Sequence, residues 1–251
     1  MSLVCSIGCT DPWNAAGLGL DLRACGELET PNVWIVAGVT AQDRDGLHAA
    51  AAVAPELIAA QFDALRAADI AAFRVGALLD AATIEVVAAR LTAAGAPVVY
   101  DPVFAPSAGG TFVDGQLVRT IRERLLPVVD VLTPNMSEAA ALCERPVESL
   151  GDMEQAARAL RALGCRAVLI KGGHRAGDPI DVLADAHGLL HFDDGSRIAG
   201  TLRGTGCLLA AALAASLARG VPLRDAVSAA RAFVREKIAH ARRRAGMHLA
   251  Y

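Results

Sequence analysis

Short apolar runs rich in Val, Ile and Leu alternate along the chain with longer Ala/Leu-rich segments in which polar residues recur at helical spacing. That alternation is the pattern of βα units wound on a mostly parallel sheet. The short runs predict strands over 3–8, 33–40, 72–75, 97–101, 129–133, 167–171, 182–184 and 189–192. The amphipathic segments predict helices over 15–28, 55–68, 81–94, 114–126, 136–143, 152–163, 205–218 and 223–245, each bounded by Gly, Pro, Asp or Asn. No internal repeat and no linker breaks the series, so one doubly wound α/β domain spanning 1–251 is expected. Ligands of such sheets bind beyond the carboxyl ends of the strands, which is where functional residues should collect.

Composition narrows the classes. Hydrophobic residues make up 54% and charged residues 20%, which excludes a disordered chain. A net charge of -3 argues against a nucleic-acid partner, so any phosphate recognition must be local. The apolar stretch 208–217 falls short of the ~20 residues a membrane span needs, and residues 3–7 read as a strand with no basic leader, so no membrane association and a cytoplasmic location are expected. Six scattered cysteines form no CxxC pair or Cys/His cluster, which fits small buried side chains better than disulfides or zinc. Lysine occurs only at positions 171 and 237.

Five segments after predicted strands carry candidate chemistry. Residues 10–21 form a small-residue loop containing Gly17 that opens a helix; it lets backbone approach a ligand, or is a plain βα turn. Asp101 ends a strand before Pro102-Val103, and Asn135 ends another with Glu138 three residues on. Strand-end carboxylates hold hydrated Mg²⁺ with phosphate oxygens, but Asn135 and Glu138 also read as an N-cap and its capping-box partner. Lys171-Gly172-Gly173-His174 sets a cation beside a glycine turn, suited to a phosphate or simply solvated. Arg203-Gly204-Thr205-Gly206-Cys207 precedes a long apolar helix; consecutive N–H groups at that helix N-terminus make an anion cradle, and the dipole favours a thiolate at Cys207. The Walker Lys-Ser/Thr pair is missing, which excludes an ordinary P-loop.

Gly204-Thr205-Gly206-Cys207, Asn135-x-x-Glu138, Lys171-Gly172-Gly173-His174, Asp101-Pro102-Val103 and Thr40-Ala41-Gln42 together resemble the hydroxymethylpyrimidine/phosphomethylpyrimidine kinases of thiamin biosynthesis, in the ribokinase-like superfamily. The likeness runs from about residue 3 to residue 238. It implies a single three-layer ribokinase-like domain with helices flanking a mostly parallel central sheet, a homodimer, a small-molecule substrate, and ATP with Mg²⁺. It also implies Gly204, Thr205 and Gly206 as anion hole and Cys207 as catalytic base; Lys171, Asn135 and Gly173 near the nucleotide; Asp101 and Glu138 at the metal; and Asp21, Gln42 and Gly17 at the pyrimidine. The expected reaction is phosphorylation of the hydroxymethyl group of 4-amino-5-hydroxymethyl-2-methylpyrimidine, of its monophosphate, or both. Pyridoxal or pyridoxine kinase is the alternative enzyme, against which Cys207 in place of Asp counts, and a non-catalytic pyrimidine sensor is the alternative outside enzymes.

Departures from the family pattern lie on the substrate side. The first loop has Trp13-Asn14-Ala15-Ala16-Gly17-Leu18-Gly19-Leu20-Asp21 where the family usually has Ser-Gly-Gly-Ala-Gly-Ile-Gln-Ala-Asp. Asp43 replaces Asn, Ala77 replaces Met, Arg203 replaces His, and the tail after Ala245 lacks a glycine-rich ending. Arg203, next to the cradle, is expected to reach either the transferring phosphoryl group or the phosphate of a monophosphorylated acceptor, or else to be a surface arginine.

Overall fold

The computed structural model describes residues 2–104, 113–173, 177–193, 195–244 and 246–251. The glycine-containing stretch 106–110, His174 and Ala245 lie outside the described residues.

The apolar runs become β1 (Leu3–Thr10), β2 (Asn32–Gln42), β3 (Leu47–Ala52), β4 (Ile70–Val75), β5 (Val98–Tyr100), β6 (Val131–Leu132), β7 (Ala167–Ile170), β8 (Ile180–Asp185) and β9 (Gly188–Asp193). They make one sheet in the order β3-β2-β1-β4-β5-β6-β7-β8-β9. The six strands from β2 to β7 are parallel, and β3, β8 and β9 add antiparallel edges. The helices are α1 (Gly17–Glu27), α2 (Pro55–Ala64), α3 (Ala81–Thr92), α4 (Gly115–Thr120, continued by a π turn), α5 (Met136–Cys143), α6 (Leu150–Ala162), α7 (Thr205–Ala218) and α8 (Leu223–Ala239).

Alternation along the strands divides the core in two. Cys5 and Ile7 of β1 pack with the face that buries Ile58 of α2, Ile84 of α3 and Leu160 of α6. Val4, just before Cys5, joins Leu20 of α1 and the apolar stretch of α7 on the other face. Residues 207–215 of α7 are all buried, because α1, α8 and the sheet enclose that helix. A helix apolar all round belongs inside, and this one brings its N-terminus to the strand ends. Among the described residues no helix is long and apolar enough to cross a membrane.

Three expectations are corrected. The strand β3 reads as Leu-His followed by alanines, without the alternation that marks a strand, because residues 48–52 are exposed on a sheet edge. The last helix ends at Ala239 rather than 245: residues 242–244 and 247–249 form a hairpin, β10 (Arg242–Arg244) with β11 (Met247–Leu249), turned at Gly246. The sixth helix starts at Leu150 rather than 152, since Ser149 and Asp152 form a capping box, so Asp152 is its third residue.

Gly204 caps α7 with φ +79°, and a Cβ there would lie 2.3 Å from the Ala15 carbonyl oxygen. Gly220 ends the same helix at φ +78° with open space around it. Gly220→Ala is therefore expected to cost only the left-handed penalty of about 1–2 kcal/mol. Gly204→Ala should cost clearly more in urea unfolding, and equal losses would remove the close approach to Ala15 as a constraint.

Candidate active site

The carboxyl ends of β1, β2, β4, β5, β6 and β7 and the α7 N-terminus surround a cavity of about 1160 Å³. The first loop is organised by Asp11, a residue the sequence did not single out. Its buried carboxylate accepts the N–H groups of Trp13, Ala15 and Ala16 at 3.0–3.1 Å, holding the loop without the family's glycines. Asn14 and Gly19 belong together: Asn14 Oδ1 lies 1.9 Å from where a Gly19 Cβ would be. The asparagine side chain fills the space that glycine leaves.

A row of alternating charges crosses the strand ends. Asp21 Oδ2 lies 3.2 Å from Arg74 Nη1, an ion pair without hydrogen-bond geometry, and Arg74 Nη2 reaches Asp101 Oδ2 at 3.4 Å. Asp101 Oδ1 accepts from Lys171 Nζ at 2.6 Å, and Lys171 Nζ lies 4.0 Å from Glu138 Oε2. Asp21, Arg74, Asp101 and Glu138 are all buried. Arg74 went unnoticed in the sequence, although an arginine inside the run 70–75 was the signal. Asp21 faces Arg74 beneath the loop instead of lining the cavity, and Asp101 is engaged by both cations.

Asn135 and Glu138 do form the capping box of α5: Asn135 Oδ1 accepts the Glu138 N–H at 2.9 Å, and Glu138 Oε2 accepts the Asn135 N–H at 2.7 Å. Both still line the cavity. Burial pushes the Glu138 carboxyl up to about 7, opposed by Lys171 and reinforced by Asp101. Although burial alone would lower Lys171, Asp101 and Glu138 hold its ammonium above the usual value.

The helix N-terminus closes onto this row. A Cβ on Gly206 would stand 3.0 Å from Lys171 Nζ and 3.2 Å from Asp101 Oδ2, so only a bare backbone approaches the pair this closely. The first turn leaves the N–H groups of Thr205, Gly206 and Cys207 without intrahelical partners. Cys207 is buried, and burial raises its thiol above the ordinary value; Asp101 and Asp21 add to the rise, while Arg74 and the Gly17 N–H oppose it. The helix-end dipole therefore does not by itself make this thiol a thiolate, contrary to the sequence expectation.

At one end of the cavity Gln42 and Arg203 meet. Arg203 Nη2 donates to Gln42 Oε1 at 2.7 Å and Nη1 to the Asp43 carbonyl at 2.5 Å, so the arginine is tied into the cavity wall and is not a free surface residue. At the other end, Gly172 N–H donates to Asp181 at 2.7 Å, Asp181 also accepts from Arg231, and Arg197 Nη1 donates to the Gly173 carbonyl at 2.6 Å. These three side chains fix the glycine turn after β7 and were not found in the sequence, since nothing local marks them.

A parallel sheet carrying a glycine-lined helix N-terminus over a lysine–carboxylate row defines a phosphotransferase of ribokinase-like fold. A phosphomethylpyrimidine kinase family model matches residues 11–249. The hydroxymethylpyrimidine/phosphomethylpyrimidine kinase of Rhizobium meliloti is 35% identical over 96% of this chain and 92% of that protein. Among solved structures, the phosphomethylpyrimidine kinase of Clostridium difficile 630 has a TM-score of 0.83 at 23% identity, covering 94% of this chain and 99% of that one. The pyridoxal kinase of Staphylococcus aureus in complex with ADP has a TM-score of 0.90 at 25% identity, covering 98% and 92%. This chain belongs to the phosphomethylpyrimidine kinase family.

Burial raises Asp21 from 3.8 to about 6, with Arg74 offsetting part of the cost. The folded protein then keeps this proton at a pH where the unfolded chain releases it. The group's stabilising contribution is complete below about pH 4 and lost as pH rises through about 6, about 3 kcal/mol in all. Asp21→Asn should flatten that part of the stability–pH curve in denaturant titrations. The same slope in wild type and variant would show that Asp21 is ionised throughout.

Proposed function

We propose that this chain transfers the γ-phosphoryl group of ATP to the hydroxymethyl group of 4-amino-5-hydroxymethyl-2-methylpyrimidine, to the monophosphate of that pyrimidine, or to both, for thiamin biosynthesis. One observation carries the reading: the open N-terminus of α7 meets Lys171 and Asp101 across Gly206, with Cys207 on its first turn, inside a cavity large enough for a nucleotide and a heteroaromatic acceptor. The protein acts as one cytoplasmic kinase unit and as a homodimer; the exposed Trp34, Val39 and Leu57 support pairing of copies.

Phosphoryl transfer asks for positioning and for neutralisation of charge on the equatorial oxygens. The N–H groups of Thr205, Gly206 and Cys207 receive those oxygens, and Lys171, held in place by Asp101, supplies a fixed cation. Cys207 as thiolate takes the proton of the acceptor hydroxyl while that oxygen bonds to phosphorus and the bond to ADP breaks, its electron pair leaving with ADP. Arg74 and the Gly17 N–H stabilise the sulfur anion that burial disfavours. The donor chemistry fits Mg²⁺ entering with the triphosphate: such an ion needs one or two protein carboxylates beside phosphate oxygens and water. Glu138 would hold it, since Asp101 is committed to Lys171 and Arg74. When bound, the ion would neutralise charge developing on the phosphate oxygens.

The resemblance to a pyridoxal kinase structure favours pyridoxal as a second acceptor. ADP release measured with the pyrimidine, its phosphate and pyridoxal, on protein whose solution mass is first determined, separates the readings. No release with any of them would leave only a binding role. Cys207→Ala should lower turnover by about 10²-fold or more while nucleotide binding persists, because general-base assistance is typically worth 10²–10⁴. Near-normal turnover would remove Cys207 from the chemistry. Glu138→Gln retains the cap but not the charge, so the Mg²⁺ concentration needed for half-maximal rate should rise with the melting temperature nearly unchanged; lost stability with an unaltered Mg²⁺ requirement would make Glu138 a cap only.

A further inference from the structure

The acceptor end of the cavity holds a directed series of hydrogen bonds. Thr40 Oγ1 donates to the Thr10 carbonyl at 2.7 Å, so its one proton is committed and its lone pairs face Gln42. Gln42 Nε2 donates to that hydroxyl at 3.0 Å, and Gln42 Oε1 accepts from Arg203 Nη2 at 2.7 Å. The direction is closed at both ends. A carbonyl cannot donate and a guanidinium cannot accept, so turning the amide over would set its NH₂ against the cation and its oxygen against the lone pairs of Thr40. Arg203 is itself held by the Asp43 carbonyl and by the hairpin β10–β11, where its backbone N–H donates to the His248 carbonyl at 3.1 Å.

We infer that Arg203 sets the hydrogen-bonding polarity of Gln42, so that this end of the cavity recognises a ligand atom that accepts a hydrogen bond. Gln42 lines the cavity, and one of its two N–H bonds goes to Thr40. The other is what the amide offers, while the cation draws on the lone pairs of Oε1. The ligand this selects is a heteroaromatic ring with a ring nitrogen or ring-bound oxygen facing Gln42; an exocyclic amine there would set donor against donor. Arg203 is in this sense a positioning residue acting through Gln42. The inference rests on the acceptor reading above and narrows it to one edge of the ring.

The test uses the aminopyrimidine and two analogues, each with one ring nitrogen replaced by C–H, with KM taken from ADP release and affinity from calorimetry. In wild type one of the two replacements should weaken binding by about 10-fold or more, because it leaves a buried donor unpaired. Arg203→Met frees the amide to turn and should erase most of that discrimination, with the KM for ATP unchanged. Arg203→Lys keeps a donor toward Oε1 and should preserve it, which a purely structural clamp would not. If Arg203→Met fails to fold, Gln42→Glu serves instead: an acceptor-only side chain should raise the KM of the parent by about 10-fold and remove the discrimination. Equal tolerance of both replacements by wild type, or full discrimination in Arg203→Met, overturns the inference. If wild type neither binds nor phosphorylates the parent, the acceptor reading itself fails and this inference falls with it; that failure is recognisable because it precedes any substitution.

Discussion

Four buried ionisable side chains and one lysine sit in alternating sign across the strand ends, and the fold around them is arranged to make that tolerable. Removing a charge from water costs several kcal/mol, and a neighbour of opposite sign repays the cost only at close range. Arg74 is within 3.4 Å of two carboxylates, and Asp101 is shared between two cations. Parallel strands supply the spacing: β4 and its neighbour β5, with β7 one strand further across β6, bring Arg74, Asp101 and Lys171 together near their carboxyl ends. The α7 N-terminus lies directly over this level. The charges needed for phosphoryl transfer are therefore in position before a substrate arrives, and no reorganisation has to be made during the reaction.

Much of this was readable in the amino-acid order, and what was not has a physical reason. The strands that carry the site are buried on both faces, and such strands read as continuous apolar runs. The residues that end them, Asp101, Asn135 and Lys171, stand out for that reason. Arg74 lies within such a run, where an apolar reading absorbs it. Asp181, Arg197 and Arg231 come from β8, a loop and α8 and meet only through the tertiary fold, so no local spacing betrays them. The hairpin after α8 escaped because Arg242–Arg244 reads as the basic end of a helix. At Cys207 the dipole argument was local, whereas burial, which decides the direction of the shift, is a property of the whole molecule.

Two of the departures from the family pattern, at Asn14 and Arg203, are accommodated by their neighbours. Asn14 brings a side chain into the first loop, and Gly19 gives up its own to admit it. Arg203 brings a cation to the cavity wall, and the amide oxygen of Gln42 and the carbonyl of residue 43 receive it. The first pair packs where the first loop enters α1, and the second lies in the cavity wall. The row from Asp21 to Glu138, by contrast, is tied together by charge.

The hairpin that follows α8 reaches back to the start of the chain: Met247 and Leu249 are buried with Ala15, and Arg203 is bonded to His248. The strand β1, made well before the hairpin, lies in the interior of the sheet between β2 and β4. On the ribosome, where domains fold as synthesis proceeds, the sheet can begin to assemble around β1 long before residues 247–249 emerge. The cavity would then stay open on the side lined by Met247 and His248 until they do. A chain released without residues 240–251 would possess the charge row, the cradle and Cys207 but lack one wall of the pocket.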